Sequence, residues 1–441
     1  MKTIAVIGSG ISGLSAAWAL SQDQGDARVT LFEAADYAGG HTNTVDVTLN
    51  DMRGRSVTHG VDTGFLVFNH RTYPKLVSLF ETLGVETAPS DMSFSVQAGQ
   101  GKLEWCGTDL NAVFAQRRNV LRPSFWQMLR DIIRFNREAT ELAVKGTDLQ
   151  LAQSIGDFLD QRAYSAVFKN WYLLPMISSI WSCPADQMLE FPVSTLIRFC
   201  HNHGLLQVTD RPQWYTVTGG ARNYVQQMLG AIADVRLNTP VSAVKRNGVG
   251  AGVTVFSPSR AEHFDEVIFA CHSDQALRIL GKDVRPAEKA VLAAIPYQQN
   301  HAVLHTDEAL LPKRQRAWAA WNYEHRESGD EHGGQGVCLH YLLNRLQPLP
   351  FAQSVVVSLN PIRQPDPAKV LAHIDYSHPV FDLAARDAQL KLPGLQGHNH
   401  TWFCGAWTGY GFHEDGLKSG LAVAEALQAR WASALTLAQA A

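Results

Sequence analysis

The first forty residues alternate between short apolar runs and one helix-forming stretch. The apolar run over residues 3–7 has the length and composition of a strand buried in a parallel sheet. Residues 14–20 favour a helix, and the apolar run over residues 29–32 predicts a second strand that Glu33 closes. This segment therefore predicts a β-α-β unit, and with it an α/β fold.

Three glycines in the pattern G-x-G-x-x-G stand between the first predicted strand and the helix. Gly8 permits the tight turn out of the strand, Gly10 lets the backbone approach a pyrophosphate, and Gly13 lets helix and strand pack closely. Ile11 and Ser12 lie between these glycines and belong to the same predicted site. The N-terminus of the helix offers free N–H groups and a positive dipole end to phosphates.

Glu33 lies 20 positions beyond Gly13, at the end of the second predicted strand. A carboxylate at this point accepts hydrogen bonds from the ribose hydroxyls of an adenosine. An ordinary glycine turn would leave both this acid and the glycine spacing unexplained. The sequence therefore predicts a dinucleotide site.

Composition narrows the class of protein further. The 441 residues carry a formal net charge of −3, so the basic excess of a nucleic-acid-binding protein is missing and no nucleic-acid partner is expected. Hydrophobic residues make up 46% and charged residues 18%, which excludes disorder and indicates a large internal apolar surface. No apolar run reaches the ~20 residues of a membrane span. The six cysteines form no C-x-x-C pair, and we expect reduced thiols in a cytoplasmic protein.

A second glycine pair follows Glu33 and makes the prediction more specific. The segment reads Ala-Gly-Gly-His-Thr, and it adds Gly39, Gly40, His41 and Thr42 to the predicted site. Glu33 followed by this pair resembles the flavoprotein amine oxidase superfamily, which includes monoamine oxidases, protoporphyrinogen oxidases and phytoene-type desaturases. The resemblance implies FAD as the cofactor. Members of the superfamily usually carry Arg where this chain has His41.

Further motifs along the chain carry the same resemblance. The D-x-G turn that passes the flavin corresponds to residues 62–65, and the re-entry into the FAD domain to residues 218–222. The terminal motif of the superfamily corresponds to residues 403–406 and 416–420, with a helix over 420–429 aimed at the flavin. Residues 240–244 resemble the next strand of the FAD domain, and residues 265–270 resemble the strand before a turn that usually reads Ala-Thr-Pro and here reads Ala-Cys-His. The cofactor contacts that these motifs imply are Gly64, Phe65, Val241, Ala270, Gly405, Gly416 and Leu417.

The positions of the motifs imply a discontinuous domain organisation. The resemblance implies a Rossmann-like FAD-binding domain together with an α+β substrate domain. We expect the FAD-binding domain to comprise residues 1–70, 215–275 and 396–441, and the substrate domain to comprise residues 71–214 and 276–395.

The terminal motif also supplies the candidate catalytic residues. Trp407 and Tyr410 stand where amine oxidases place two aromatic side chains beside the flavin, and His413 is the best candidate acid or base, with Glu414 and Asp415 next to it. The alternative for the aromatics is simple packing below the flavin. No metal site is predicted, because the segment holding His301 and His305 alternates like a strand.

Three functions remain open at this point. Segments 321–323, 341–347 and 412–416 resemble a bacterial branch of FAD-binding oxidoreductases, some of which are linked to modification of membrane fatty acids. The leading hypothesis is therefore hydride transfer to flavin N5 from a bulky apolar substrate such as a fatty-acyl or lipid chain, giving desaturation or oxidation. The alternatives are an amine oxidase and a flavin-binding protein without catalytic activity.

A predicted helical region over residues 111–142, interrupted near Pro123, bears on the partner. It contains six arginines between Arg117 and Arg137 beside Phe125, Trp126 and Phe135. Such a helix either lies on anionic lipid, at the inner face of the membrane, or is an ordinary solvated surface. The lipid hypothesis predicts a deep apolar pocket that opens near this region. Its wall would come from aromatic residues outside the FAD motifs, namely Trp171, Tyr172, Trp181, Phe191, Phe199, Trp318 and Trp321. Core packing of these aromatics is the alternative.

Overall fold

A computed structural model describes residues 1–22, 27–207, 211–248, 250–325 and 337–440. The strands in these ranges, in chain order, are β1 (Lys2–Ile7), β2 (Ala27–Phe32), β3 (Thr44–Asn50), β4 (Ser56–Asp62), β5 (Thr87–Ser90), β6 (Phe94–Ala98), β7 (Leu103–Cys106), β8 (Trp214–Val217), β9 (Asp234–Arg236), β10 (Ala243–Arg246), β11 (Val253–Phe256), β12 (Ala261–Phe264), β13 (Glu266–Phe269), β14 (Tyr297–His305), β15 (Trp321–His325), β16 (Cys338–Leu342), β17 (Val356–Leu359), β18 (Val370–Pro379) and β19 (Thr401–Phe403).

Helices connect most of these strands. In chain order they are α1 (Ile11–Gln22), α2 (Pro74–Leu83), α3 (Leu110–Val113), α4 (Pro123–Lys145), α5 (Asp148–Leu151), α6 (Ile155–Gln161), α7 (Ala166–Phe168), α8 (Leu174–Trp181), α9 (Ala185–Leu189), α10 (Val193–Asn202), α11 (Arg222–Gly230), α12 (Ser273–Leu280), α13 (Pro286–Leu292), α14 (Leu343–Leu346), α15 (Leu383–Lys391) and α16 (His413–Ala440).

A parallel five-stranded sheet forms the first of two domains. Its order is β19-β13-β1-β2-β9, so the first, middle and last parts of the chain meet in one sheet. The central strand β1 buries Ile4, Ala5 and Val6 completely, as expected when helices cover both faces of a parallel sheet. The predicted β-α-β unit is present as β1-α1-β2, and the carboxyl ends of β1 and β2 lie side by side in register.

The second domain combines a seven-stranded sheet with a group of helices. The sheet has the order β18-β14-β17-β16-β15-β6-β7, and all its pairs are antiparallel except β15 with β6. Helices α4 and α6–α10 pack around a separate core that includes Phe135, Phe168 and Phe191. The fold is thus the two-domain α/β arrangement that the sequence predicts.

Two helices differ from their predicted bounds. The helix predicted over 420–429 begins at His413, so that Gly416 and Leu417 lie in its first turns. The region 111–142 divides into α3, a short 3₁₀ turn over Arg117–Leu121, and α4, which starts at Pro123 because proline is favoured in the first helical turn. Within the described ranges, none of the helices combines the length and apolarity needed to cross a bilayer.

Candidate active site

One cavity of about 770 Å³ runs from the carboxyl ends of β1 and β2 into the second domain. Most of the predicted cofactor residues line it. They are Gly8, Gly10, Ile11, Ser12, Glu33, Gly39, Gly40, His41, Thr42, Gly64, Phe65, Val241, Ala270 and Gly405.

The glycine turn has different steric demands at its three positions. Gly8 has φ +103°, and a Cβ there would lie 2.9 Å from the carbonyl oxygen of Ala270 on the neighbouring segment. A Cβ on Gly13 would overlap the carbonyl oxygen of Gly8, which explains the close packing of α1 on β1. At Gly10, by contrast, no protein atom lies within 4 Å of the Cβ position. The space next to the Cα of Gly10 is therefore open, whereas backbone atoms fill the corresponding space at Gly8 and at Gly13.

The side chain of Glu33 fixes the glycine turn to the end of β2. Its Oε2 accepts hydrogen bonds from the Ser9 amide at 2.9 Å and the Ser9 hydroxyl at 2.6 Å, and its Oε1 accepts from the Ala35 amide at 2.9 Å. The carboxylate also lines the cavity. Glu33 thus stands at the position from which a carboxylate can accept ribose hydroxyls.

The second glycine pair lies against the first. Gly39 forms a parallel bridge with Gly10, and a Cβ on Gly40 would lie 3.2 Å from the Gly10 Cα. The next residue, His41, stacks on Tyr376 with ring centroids 4.9 Å apart. Burial lowers the pKa of His41 well below its usual range, so its ring is neutral. Its Nε2 is buried without a hydrogen-bond partner among the described residues.

His413 occupies the first position of α16 and is enclosed by aromatic groups. Phe65 stacks on it at 3.9 Å between ring centroids, and its Nε2 lies 2.6 Å from the Tyr224 hydroxyl. That hydroxyl is in turn 2.9 Å from Thr42 Oγ1. Burial lowers the pKa of His413 to about 3, so the imidazole is neutral at physiological pH.

The two acids after His413 have structural partners. Glu414 accepts hydrogen bonds from the amides of Lys75 and Leu76 and so satisfies the N-terminus of α2. Asp415 accepts from the amides of Tyr410 and Phe412. Neither acid lines the cavity.

Of the remaining predicted site residues, Trp407 lines the cavity and the others lie outside its lining. Trp407 lines the cavity and donates its indole N–H to the Cys271 carbonyl at 3.2 Å, whereas Tyr410 lies outside the lining and is 36% exposed. The structure therefore does not bring these two aromatics together. Gly13, Gly416 and Leu417 also lie outside the lining. Gly416 packs on Ile11, where a Cβ would come within 2.7 Å of the Ile11 side chain.

The inner end of the cavity lies between α8, α10 and the seven-stranded sheet. Three of the predicted channel aromatics line it, namely Tyr172, Phe199 and Trp321, while Trp171, Trp181, Phe191 and Trp318 pack in cores instead. Met176 and Ile180 also line it, and they belong to the apolar stretch 172–181, for which the sequence left core packing and channel lining as alternatives. Sequence reasoning missed several other apolar residues of the wall, which are Met92, Phe94, Trp105, Leu205, Trp214 and Tyr341.

Three further histidines also line the cavity and were missed, namely His203, His272 and His378. His378 Nδ1 accepts a hydrogen bond from the Asn300 side-chain amide at 2.9 Å, and burial lowers the pKa of His378 to about 4. His272 stacks on Tyr297 at 4.4 Å, and burial lowers its pKa too. The turn over residues 270–272, where relatives usually read Ala-Thr-Pro, was the available signal for His272. No pattern in the sequence pointed to His378.

The family model for flavin-containing amine oxidoreductases matches residues 11–339, about three quarters of the chain. The chain belongs to this family. It is thus an FAD-binding enzyme of the oxidoreductase class. A comparison with curated proteins gave no match.

Solved structures of other members have the same fold. Cyclohexylamine oxidase from Brevibacterium oxydans is 17% identical with a TM-score of 0.67, over 97% of this chain and 99% of the other. A putative protoporphyrinogen oxidase from Exiguobacterium is 14% identical with a TM-score of 0.64 and the same coverage. A CLA-producing fatty acid isomerase from P. acnes is 13% identical with a TM-score of 0.66, over 96% and 97%.

The residues present fit FAD on two observations of this structure. The open space at Gly10 is a cradle that a side chain would fill, and it lies between the two glycine segments at the start of α1. The unpartnered Nε2 of His41 is a buried polar atom on the wall of the same cavity. A buried polar atom of this kind is normally hydrogen-bonded, and a bound cofactor would supply the missing partner.

Proposed function

We propose that this enzyme oxidises or desaturates a fatty-acyl or other lipid chain. The observation that carries the proposal is the wall of the cavity in the second domain. Aromatic and aliphatic side chains from α8, α10, β6, β15 and β16 form it, among them Met176, Ile180 and Phe199. Each buried CH₂ of an acyl chain gains about 0.8 kcal/mol in such surroundings.

The charges on the cavity wall support the same proposal. Among the described residues that line it, Glu33 is the sole carboxylate, and it lies at the adenosine end of the predicted FAD site. The lining arginines are Arg278 on α12 and Arg211, whose neighbours on the wall include Leu205 and Trp214. Within the described part of the chain, no acid lines the wall away from Glu33 to pair with a cationic amine, while Arg211 lines it and can bind an anionic head group.

In this proposal the chain's own residues position and desolvate the substrate. Bound FAD supplies the hydride acceptor, held by the two glycine segments, Glu33 and His41. The neutral rings of His413 and Phe65 form part of the wall where the two domains meet and exclude water from it. The hydroxyl of Tyr224, which lies 2.6 Å from His413 Nε2, holds the His413 ring in place. Desaturation would remove a hydride, for which bound FAD is the acceptor, and a proton from the adjacent carbon. One of the neutral imidazoles on this wall would accept that proton.

Anaerobic reduction of the bound flavin tests the proposal. Acyl lipids and apolar amines are mixed in turn with the purified enzyme, and flavin absorbance is followed in the stopped-flow instrument. We expect bleaching with an acyl lipid and none with amines. Mass spectrometry of copurified ligands identifies the chain. Anaerobic reduction by an amine, followed by release of peroxide once oxygen is admitted, and no reduction by lipids, would overturn the lipid assignment in favour of the amine oxidase.

The amine oxidase remains the second candidate because the family match itself favours it. The third alternative of the sequence analysis, a flavin-binding protein without catalytic activity, is not carried further, because the family is one of enzymes.

A surface that carries both arginines and exposed apolar side chains supports contact with a membrane. This surface lies beside the cavity. We define this membrane-facing patch as Leu110, Leu121, Trp126 and Ile133 with Arg117, Arg118, Arg122, Arg130 and Arg137. Its apolar members are strongly exposed, with Leu121 at 85% and Leu110 at 78%. The predicted aromatic face is smaller than expected, because Phe125 and Phe135 are buried and only Trp126 is exposed. Arg134 is not part of the patch, since it pairs with Glu138.

Two observations connect the patch with the cavity and with lipid. Gly107 on the cavity wall lies three residues before Leu110, and Phe114 joins α3 to α4 by ring contacts with Phe125 and Trp126 at 5.6 and 5.5 Å. The arginines complement anionic head groups, while the apolar side chains can enter the acyl boundary.

Cosedimentation with lipid vesicles tests this contact. We expect binding to phosphatidylglycerol vesicles that the double variant Leu121→Asp/Trp126→Ala loses by at least about tenfold. Leu390→Asp on α15, which changes an equally exposed leucine elsewhere, is the matched control and should bind like the wild type. Equal binding of all three proteins would show that the patch is an ordinary solvated surface.

A further inference from the structure

A cluster of three potential metal ligands lies on the face of the seven-stranded sheet opposite the cavity. Glu324 is on β15, and Cys338 and His340 are on the adjacent strand β16. Trp321 and Tyr341 of the same strands line the cavity. Since side chains alternate along a strand, the three ligands point to the other side, away from the FAD site.

The donor atoms of this cluster converge on one point. His340 Nε2 lies 3.0 Å from Glu324 Oε2 and 3.6 Å from Cys338 Sγ, and Cys338 Sγ lies 3.9 Å from Glu324 Oε2. Zinc bonds of ~2.3 Å to sulfur and ~2.0–2.1 Å to nitrogen and oxygen, at tetrahedral angles, require separations of about 3.3–3.6 Å. The three observed separations are within about 0.4 Å of these values.

We propose that Glu324, Cys338 and His340 form a binding site for a zinc-class transition-metal ion. A thiolate, an imidazole and a carboxylate together favour zinc or cobalt over magnesium or calcium, which prefer oxygen ligands only. The charges also balance, because a divalent ion neutralises one thiolate and one carboxylate. This matters at a site where Cys338 and His340 are buried. The inference is independent of the proposed substrate.

The groups behind His340 orient its ring for this role. His340 Nδ1 lies 2.7 Å from Ser358 Oγ on β17, and Ser358 Oγ lies 2.7 Å from His305 Nε2 on β14. The Asp307 amide donates to His305 Nδ1 at 3.0 Å, so a neutral His305 carries its proton on Nε2 and donates it to Ser358. The serine oxygen can accept a second hydrogen bond, from His340 Nδ1. His340 Nε2 then presents its lone pair to the metal, as in other histidine–metal sites.

Among the described residues the cluster supplies three ligands, and water can take the fourth position of a tetrahedron. The side chain of Glu324 is 14% exposed, so the site is close enough to solvent for this water to exchange. A metal here would join β15 to β16 and thereby hold Trp321 and Tyr341 on the cavity side of the sheet. We therefore expect it to act on stability and on the shape of the cavity wall, not as a reactant.

Metal analysis of the full-length protein tests the site. By inductively coupled plasma mass spectrometry, protein purified without chelator should hold about one zinc ion per chain. Cys338→Ser and His340→Gln should each lower this content at least about tenfold. Cys106→Ser, which removes another buried thiol on β7, is the control and should retain the metal.

A second measurement covers variants that do not fold. Wild-type protein treated with chelator is titrated with Co²⁺, and the difference spectrum is recorded against Cys106→Ser and against any soluble Cys338→Ser. A saturable thiolate-to-cobalt absorption near one equivalent supports the site, and its presence in Cys106→Ser together with its absence from soluble Cys338→Ser assigns it to Cys338. If wild-type protein holds no zinc and shows no such absorption, the cluster is only a hydrogen-bonded histidine–glutamate pair and the proposal is wrong.

Discussion

The variant Gly10→Val tests whether Gly10 is needed for FAD binding or for folding. The Cβ position of Gly10 has no protein atom within 4 Å, and the backbone there does not have a positive φ. A valine is therefore tolerated by the protein without FAD, but its methyl groups enter the space predicted for the pyrophosphate. Gly13→Ala differs, because its Cβ overlaps the backbone oxygen of Gly8 and disturbs the fold itself.

The two variants differ in expected magnitude as well as in kind. Charge-assisted hydrogen bonds from backbone N–H groups contribute about 1.5–3 kcal/mol each. Displacing a phosphate from two of them weakens FAD binding by about 3–6 kcal/mol, or roughly 10²- to 10⁴-fold in Kd. Replacing glycine where no strain results changes stability by only about 0.4–1 kcal/mol, in the stabilising direction. Gly10→Val without FAD should thus unfold like wild-type protein without FAD.

Flavin titration and urea unfolding of the flavin-free proteins measure the two effects separately. Gly394→Val is the matched control, since its Cβ position is equally open but lies outside the cavity. It should bind FAD normally. A Kd for Gly10→Val within about threefold of wild type would contradict the assigned phosphate site. If Gly10→Val without FAD were as unstable as Gly13→Ala, Gly10 would instead be a structural glycine.

Two further variants test the cavity. Met176→Glu places a charge on the apolar wall, so FAD content should stay normal while flavin reduction by acyl lipids slows at least about tenfold; Met52→Glu, on an exposed turn, should change neither quantity. His413→Gln tests the pKa shift. Burial keeps His413 neutral down to about pH 3, whereas the unfolded chain protonates it near ~6.5, so wild-type stability is lost as pH falls through this window. The variant should show a slope shallower by about 1.4 kcal/mol per pH unit between pH 6 and 4 in urea unfolding, and equal slopes would refute the shift.

The FAD-binding end of the cavity could be predicted from the sequence because its steric constraints act on single backbone positions. Gly8, Gly13 and Gly40 each lack room for a Cβ, or have a positive φ, for reasons that lie within a few residues along the chain or in an adjacent loop. Such constraints leave glycines at fixed spacing. Glu33 is visible for a similar reason, since its carboxylate must close the turn at the end of β2.

The end of the cavity in the second domain could be predicted from the sequence only in part, because apolar residues line both the protein core and the cavity wall. In α8 the side chains of Met176 and Ile180 face the cavity, whereas Ile177 and Trp181 face the helical core. Both faces are apolar, so hydrophobicity alone does not separate them. The separation depends on the sheet strands β15 and β16 that arrive on one side, more than a hundred residues later in the chain.

The histidines of the cavity could likewise be predicted from the sequence only in part. His41 was found through its place after the glycine pair, but His378 enters from β18 and meets His41 only in the folded protein, at 5.1 Å between ring centroids. The predicted pair of Trp407 and Tyr410 did not form because the short 3₁₀ turn over Ala406–Thr408 directs Trp407 inward and leaves Tyr410 near the surface.

The neutral wall also distinguishes the two candidate substrates by pH. An ammonium ion entering this cavity would lose its hydration without gaining a carboxylate, at a cost of several kcal/mol. An amine would therefore have to bind in its neutral form, and kcat/KM for an amine should rise about tenfold per pH unit below the pKa of that amine. An acyl chain carries no group that titrates in this range, and His41, His378 and His413 stay neutral across it. We therefore expect a flat profile between pH 7 and 9 for acyl substrates in stopped-flow flavin reduction. A tenfold rise per pH unit with an acyl lipid would show that a group of the protein titrates during the reaction in this range, and would refute the assignment of the reaction to a wall whose histidines are already neutral.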